Sequence, residues 1–297
     1  VALAALEYGI ISPEKVIQCK GHKHPYELYG EKYHCWKKDG HGYMKLRNAI
    51  KQSCDIYFYE VARLLGVDKL SVVAKKYGLG SKVLGDLYID EKNGIVPSTK
   101  WKKQILEQSW YLGETIITGI GQGYIQTTPL QLCLMTAQIA NGGYKIKPKI
   151  IHEKNFTLEE IKSKIINQES KLYNNPDNIK FVLEAMFAST NEKYGTSYKS
   201  RHEDLKYQFA GKTGTSQVRR ITEKDRELDL DISEIKYKNR DHALYIAFAP
   251  YKDPKYSISV LIEHGGSGSK AAAPLASKLI KKILDRHKFR EEIRKNT

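Results

Sequence analysis

Three β-rich runs in close succession constrain this chain most: "YQFAGKTGTSQV" (207–218), "HALYIAFAP" (242–250) and "YSISVLIEHGG" (256–266). They are rich in the β-branched and aromatic residues that suit a half-buried pleated surface. The last two are joined only by "YKDPK" (251–255), and the first two by a charged segment, 219–241. Consecutive strands with such connections predict an antiparallel meander, which needs one face covered. The cover follows at once in "AAAPLASKLIKKILDRHK" (271–288), where Leu275, Leu279, Ile280, Ile283 and Leu284 fall on one predicted helical face.

Before residue 140 the periodicity is mainly helical. "VALAALEYGII" opens the chain as a helix already under way. In "SCDIYFYEVARLLG" (53–66), Ile56, Tyr59, Val61, Leu64 and Leu65 recur at helical spacing and Gly66 ends the pattern. "TTPLQLCLMTAQIANGG" (127–143) carries Thr128 as a cap, Pro129 at the first helical position and Gln131 to complete a capping box. It is apolar nearly all round, which predicts a buried helix. Helices, then a meander, then a helix packing back on the sheet give an α/β (α+β) class, read as one domain over 1–297.

Lysine and arginine outnumber aspartate and glutamate 49 to 34, a net charge of +15. That balance favours an anionic partner, but no DNA- or RNA-binding motif accompanies it, and the expectation is no nucleic acid. No apolar run approaches the ~20 residues that span a bilayer; the best, 243–249, is strand-sized.

Within the first β run, Lys212-Thr213-Gly214-Thr215 sets a cation, two hydroxyls and a glycine along one strand. Glycine inside a strand marks a close approach of backbone or ligand, and the neighbouring groups suit an anionic ligand with a carbonyl to hold. With Ser53-Cys54-Asp55, "GIGQGYIQTTPLQL" (119–132), "DHALYIAFAP" (241–250) and "EHGGSGSKAAAP" (263–274), the chain resembles the penicillin-binding transpeptidases, most closely the elongation-type class B branch. The resemblance implies a mainly antiparallel five-stranded sheet flanked by helices and a serine acyl-enzyme that cross-links peptidoglycan. It implies a D-alanyl-D-alanine stem peptide as substrate, β-lactam antibiotics as inhibitors and a membrane glycosyltransferase as partner. The expected location is the periplasmic face of the bacterial inner membrane.

The family's second motif, Ser-x-Asn, stands here as Ser53-Cys54-Asp55, and its third as Lys212-Thr213-Gly214. By resemblance, Ser53 joins the proton path, Asp55 lines the cleft, Lys212 draws the substrate carboxylate and Gly214 admits its backbone. Thr213 and Thr215 hold the carboxylate, and the Thr215 N–H helps bind the oxyanion. The first motif, Ser-x-x-Lys, opens the helix that "VALAALEYGII" continues, so the nucleophile is expected before Val1 and this chain alone inactive. Two literal matches, Ser12 to Lys15 and Ser267 to Lys270, lack helical context: Pro13 marks Ser12 as a predicted N-cap, and Ser267 sits in a glycine-rich turn. The alternatives are a serine β-lactamase, which shares the Lys-Thr-Gly strand, and an inactive fragment with a binding or scaffolding role.

Of four cysteines, Cys133 is expected to pack in the buried helix, whereas Cys19, Cys35 and Cys54 share a 36-residue span with His41. Three thiolates and an imidazole suit a closed tetrahedral zinc site. In the resembling family, "HCW", "GHG" and "SCD" fall in a metal-binding insert beside the active site, here 18–54. A Cys19–Cys35 disulfide and simple buried thiols are the rival readings, and His24 or His34 can replace His41 as ligand.

Overall fold

The computed structural model describes residues 1–85, 89–148, 166–219 and 230–296, with 221, 225 and 228 between them. Part of the charged segment 219–241 thus lies outside the described residues. The chain resolves into two compact units, Val1–Ala185 and Met186–Thr297.

The first unit begins with α1 (Ala2–Glu7) and two short antiparallel ribbons. β1 (Ile17–Cys19) pairs with β4 (Gly42–Met44), while β2 (Tyr26–Leu28) pairs with β3 (Glu31–Tyr33). Next come α2 (Leu46–Gln52), α3 (Asp55–Leu65), α4 (Val67–Lys76), α5 (Thr99–Leu106), α6 (Leu112–Thr118) and α7 (Pro129–Ala140). A third ribbon, β5 (Tyr144–Ile146) with β6 (Ile166–Lys171), follows, and the unit boundary falls inside α8 (Pro176–Asn191). α3 is the axis of this unit: Ile56, Tyr57, Tyr59 and Val61 are buried with Ala5, Leu46, Ala49 and Ile116 in one core.

Not every predicted face holds. Leu64 is exposed because its place in α3 is taken toward the core by Ala62 and Leu65. Ser12 opens an exposed turn, with Lys15 N–H donating to its carbonyl at 3.1 Å, and caps no helix. α7 is half-buried, not enclosed. Its capping box forms as predicted, yet its buried residues include polar Gln131, Thr136 and Gln138, while Leu130 is exposed and Cys133 half-buried. Those amides stitch loops together. Gln131 Nε2 donates to the carbonyls of Ser81 and Asn93, each at 2.8 Å, and Gln138 Nε2 to that of Tyr77 at 2.9 Å.

The second unit carries the predicted meander. β7 (Ala210–Ser216), β8 (His242–Ala249) and β9 (Tyr256–Ile262) pair antiparallel in sequence order. Among the described residues this sheet has three strands, two fewer than the resemblance implied. α9 (Ala273–Asn296) covers it through Ala273, Ala276, Ile280 and Leu284, whereas Leu275 and Leu279 are exposed. The helix comes too close to the sheet for leucine at its first turns, so alanines replace leucines as the contact face. No helix among the described residues is long and apolar enough to cross a membrane.

One buried charge locks the α5–α6 hairpin. Lys102 is 1% exposed, and its ammonium meets Glu114 Oε1 at 2.5 Å and stands 4.8 Å from the centre of the Tyr111 ring. Glu114 Oε2 accepts Tyr111 N–H at 2.8 Å, which completes the cap of α6. Removing one partner of a buried pair strands the other charge. Glu114→Ala is therefore expected to lower unfolding free energy by about 3–5 kcal/mol in urea titrations, whereas truncating Glu14 in the exposed Lys45–Glu14 pair changes it by under about 1 kcal/mol.

Candidate active site and metal centre

The chain makes α2 and α3 two helices at a single residue. Ser53 ends α2 with φ 54° and ψ 53°, a left-handed backbone that costs a residue with a side chain about 1–2 kcal/mol. Cys54 then resumes extended backbone as the N-cap of α3, and Asp55 is the first residue of α3. The predicted second motif is thus a joint between helices, and its strain must be held from outside.

The cysteines supply the hold. Cys19 at the end of β1, Cys35 after β3, Cys54 at the joint and His41 before β4 bring their ligand atoms within 4.8 Å of one another. All three cysteines are buried free thiols, and Cys133 lies apart from this group. His41 Nδ1 stands 3.6 Å from Cys19 Sγ and 3.4 Å from Cys35 Sγ. Tetrahedral zinc with ordinary Zn–S and Zn–N bonds places sulfur and nitrogen ligands roughly 3.5 Å apart. The donor set and its spacing therefore fit zinc. His41, not His24 or His34, completes the set, and the three thiols meet as a group without a disulfide.

Two loops must cross tightly for this to happen. A Cβ on Gly40, whose φ is +76°, would fall 2.3 Å from the Cys19 carbonyl oxygen, so only glycine fits. Hydrogen bonds from the Cys35 and Cys54 thiols hold the Cys19 thiol well below its ordinary range, with burial opposing. Sharing with that thiolate pushes Cys35 up to about 12 and raises Cys54 as well. One thiolate stabilised by two thiols is a cluster that binds protons where a dication would release them.

The second unit holds Lys212, Thr213, Gly214 and Thr215 on β7, which among the described residues pairs on one side only, with β8. Strand alternation puts Lys212 and Gly214 on one face and Thr213 on the other. The Thr213 hydroxyl meets Thr196 Oγ1 at 2.9 Å, whereas Thr215 is exposed. Lys212 Nζ donates to the Thr213 carbonyl at 3.0 Å.

A buried hydroxyl network underlies the strand and was not anticipated from sequence. Tyr245, opposite Thr213, is fully buried; its hydroxyl lies 2.9 Å from Ser197 Oγ and 3.0 Å from Thr190 Oγ1. Burial pushes its phenol up to about 12. The signal for this network was "ASTNEKYGTS" (188–197), where Ser189, Thr190, Thr196 and Ser197 bracket a turn. Of the two literal Ser-x-x-Lys matches, Ser267 bonds Ser269 at 2.8 Å beside the exposed Lys270, and Ser12 and Lys15 are both exposed. Neither serine stands one helical turn below a facing lysine in a cleft.

Comparison with known proteins agrees with this geometry. Residues 1–281 match the family model described as the penicillin-binding protein transpeptidase domain. The peptidoglycan D,D-transpeptidase MrdA of Salmonella typhimurium is 34% identical over 294 residues, covering 96% of this chain and 45% of that protein. Its Escherichia coli K12 counterpart is 31% identical over 290 residues, 96% of this chain and 43% of that protein. The chain thus spans less than half the length of these curated relatives. Among solved structures, Pseudomonas aeruginosa PBP2 in complex with WCK 5153 superposes with a TM-score of 0.77 at 34% identity, covering 95% of this chain and 58% of that one. The PBP2 of a Helicobacter pylori PBP2–MreC complex gives 0.77 at 30% identity, covering 96% and 49%. With five sequence blocks, a meander that begins with its Lys-Thr-Gly strand and a family match over residues 1–281, the chain belongs to the penicillin-binding protein transpeptidase domain family.

Proposed function

We propose that this chain is the transpeptidase part of a peptidoglycan D,D-transpeptidase of the elongation type, acting on the periplasmic side of the inner membrane through a serine acyl-enzyme. The observation that carries the reading is Lys212-Thr213-Gly214-Thr215 on a strand that, among the described residues, pairs on one side only. A peptide ending in D-alanyl-D-alanine adds along that edge as an extra strand. Lys212 attracts its terminal carboxylate, Thr215 binds it through its exposed hydroxyl, and the Thr215 N–H polarises the scissile carbonyl as an oxyanion donor. Thr213 supports the strand from beneath through Thr196. The serine oxygen bonds to the carbonyl carbon, D-alanine leaves with the proton passed along a path that includes Ser53, and an acceptor amine then displaces the serine. β-Lactams acylate the same serine. A membrane glycosyltransferase is the proposed working partner, and the Helicobacter pylori neighbour's complex with MreC marks a second class of partner.

Zinc is proposed as a structural ion held by Cys19, Cys35, His41 and Cys54. It supplies charge to settle three thiolates and cross-links β1, the loop after β3 and the α2–α3 joint. Its role is to keep Ser53 and Asp55 in place, since Cys54 lies between them.

Two measurements test these readings. Elemental analysis of the chain is expected to find about one zinc per molecule, and chelation to lower its melting temperature by about 5 °C or more; zinc-free protein with unchanged melting would remove the metal reading. In protein purified from its native cells, benzylpenicillin should give a stable adduct on a serine other than Ser12 or Ser267. Lys212→Ala should slow its formation about 100-fold, some 2.7 kcal/mol of barrier. Rapid release of hydrolysed drug would instead identify a β-lactamase.

A further inference from the structure

The metal cluster and the second motif share more than Cys54. Trp36 follows the ligand Cys35 directly, and its ring stands edge-on to the ring of the ligand His41, with centroids 5.4 Å apart. Its backbone N–H donates to Asp55 Oδ2 at 2.8 Å. Its indole N–H donates to the Ser53 carbonyl at 2.8 Å, with the Gln52 carbonyl at 3.3 Å. Those two carbonyls end α2, where the helix leaves its last acceptors without intrahelical donors. One residue thus holds both named residues of the motif and both sides of the left-handed joint.

The position of Trp36 is itself fixed from behind. The His34 carbonyl accepts the Tyr59 hydroxyl at 3.1 Å, from α3, and the Cys35 carbonyl lies 2.6 Å from His22 Nε2. Cys35 is fully buried, whereas Trp36 is 57% exposed, so the indole is not there to fill the core. A half-exposed tryptophan whose only ring donor is spent on a strained turn is placed for direction, not for burial.

We infer that Trp36 is a positioning residue for the transpeptidation site: it passes the order of the Cys19/Cys35/His41/Cys54 cluster to Ser53 through the indole N–H and to Asp55 through the backbone N–H. The backbone bond is open to every residue but proline, whereas the indole bond belongs to tryptophan. Trp36→Phe keeps an aromatic ring beside His41 and removes only the donor to Ser53.

The test has a structural and a kinetic arm, and only the kinetic arm rests on the transpeptidase reading. In this chain, amide hydrogen exchange is followed over residues 50–56, where Ser53 N–H and Cys54 N–H are bonded to the carbonyls of Ile50 and Ala49. Trp36→Phe should speed exchange there about tenfold while zinc content and melting temperature stay at wild-type values. In native protein the same variant should slow acylation by benzylpenicillin about tenfold, through the acylation rate constant and not the affinity of the initial complex. Wild-type exchange in Trp36→Phe would overturn the inference. So would loss of zinc in step with faster exchange, which would make Trp36 a support of the metal site instead. If wild-type protein forms no adduct at all, the functional reading fails, and the exchange result alone still decides for or against Trp36.

Discussion

Three buried thiols and a half-buried imidazole cannot meet inside 4.8 Å unless their charge is settled. That condition governs the first unit. β1 and β4 are three-residue strands that would be marginal alone, and their register sets Cys19 against Gly42, next to His41. Gly40 gives up its side chain so that the two ligand-bearing loops can touch. The break between α2 and α3 places Cys54 at the centre, at the expense of a left-handed serine. Short ribbons, a missing Cβ and a strained joint are each unfavourable alone and are explained together by the cluster they build.

The same economy puts chemistry next to structure. Ser53 and Asp55 flank Cys54, so whatever orders the cluster orders them. A motif on a plain helix start would depend on capping alone, at about 1 kcal/mol. Here the joint is fixed by Cys54 from within and by two hydrogen bonds from Trp36 outside. In the second unit the hydroxyls of Thr190, Thr196, Ser197 and Tyr245 set the rear of the Lys-Thr-Gly strand.

Local patterns were legible in the sequence and distances were not. Alternation and turn residues located all three strands of the meander, and the Thr128–Gln131 capping box gave the start of α7 to the residue. The candidate ligands could be listed because cysteine and histidine in one span are few, yet the grouping of His41, and not His24 or His34, with the three thiols came only with the fold. Helical faces were misjudged where interaxial distance decides: α9 meets the sheet through Ala273 and Ala276, and hydrophobicity alone favoured Leu275 and Leu279. α7 misled for a related reason. Its sequence is apolar, but Gln131 and Gln138 are buried because loop carbonyls at Ser81, Asn93 and Tyr77 need donors. The indole bond to Ser53 joins residues 17 apart in sequence, and no periodicity announces it.

Among the described residues β7 pairs on one side only, and this has a consequence for the molecule's life among its own copies. An open strand edge accepts any extended chain, including the same strand of a neighbour. Lys212 stands on one face of that strand with its ammonium on the Thr213 carbonyl, and two copies laid edge to edge would bring like charges near one another. Gly268 works from the rear, where a Cβ would fall 2.4 Å from the carbonyl oxygens of Gly214 and Leu244. The turn therefore presses against the sheet as closely as backbone allows. A charge beside the open edge thus works against self-assembly, and the same charge draws anions.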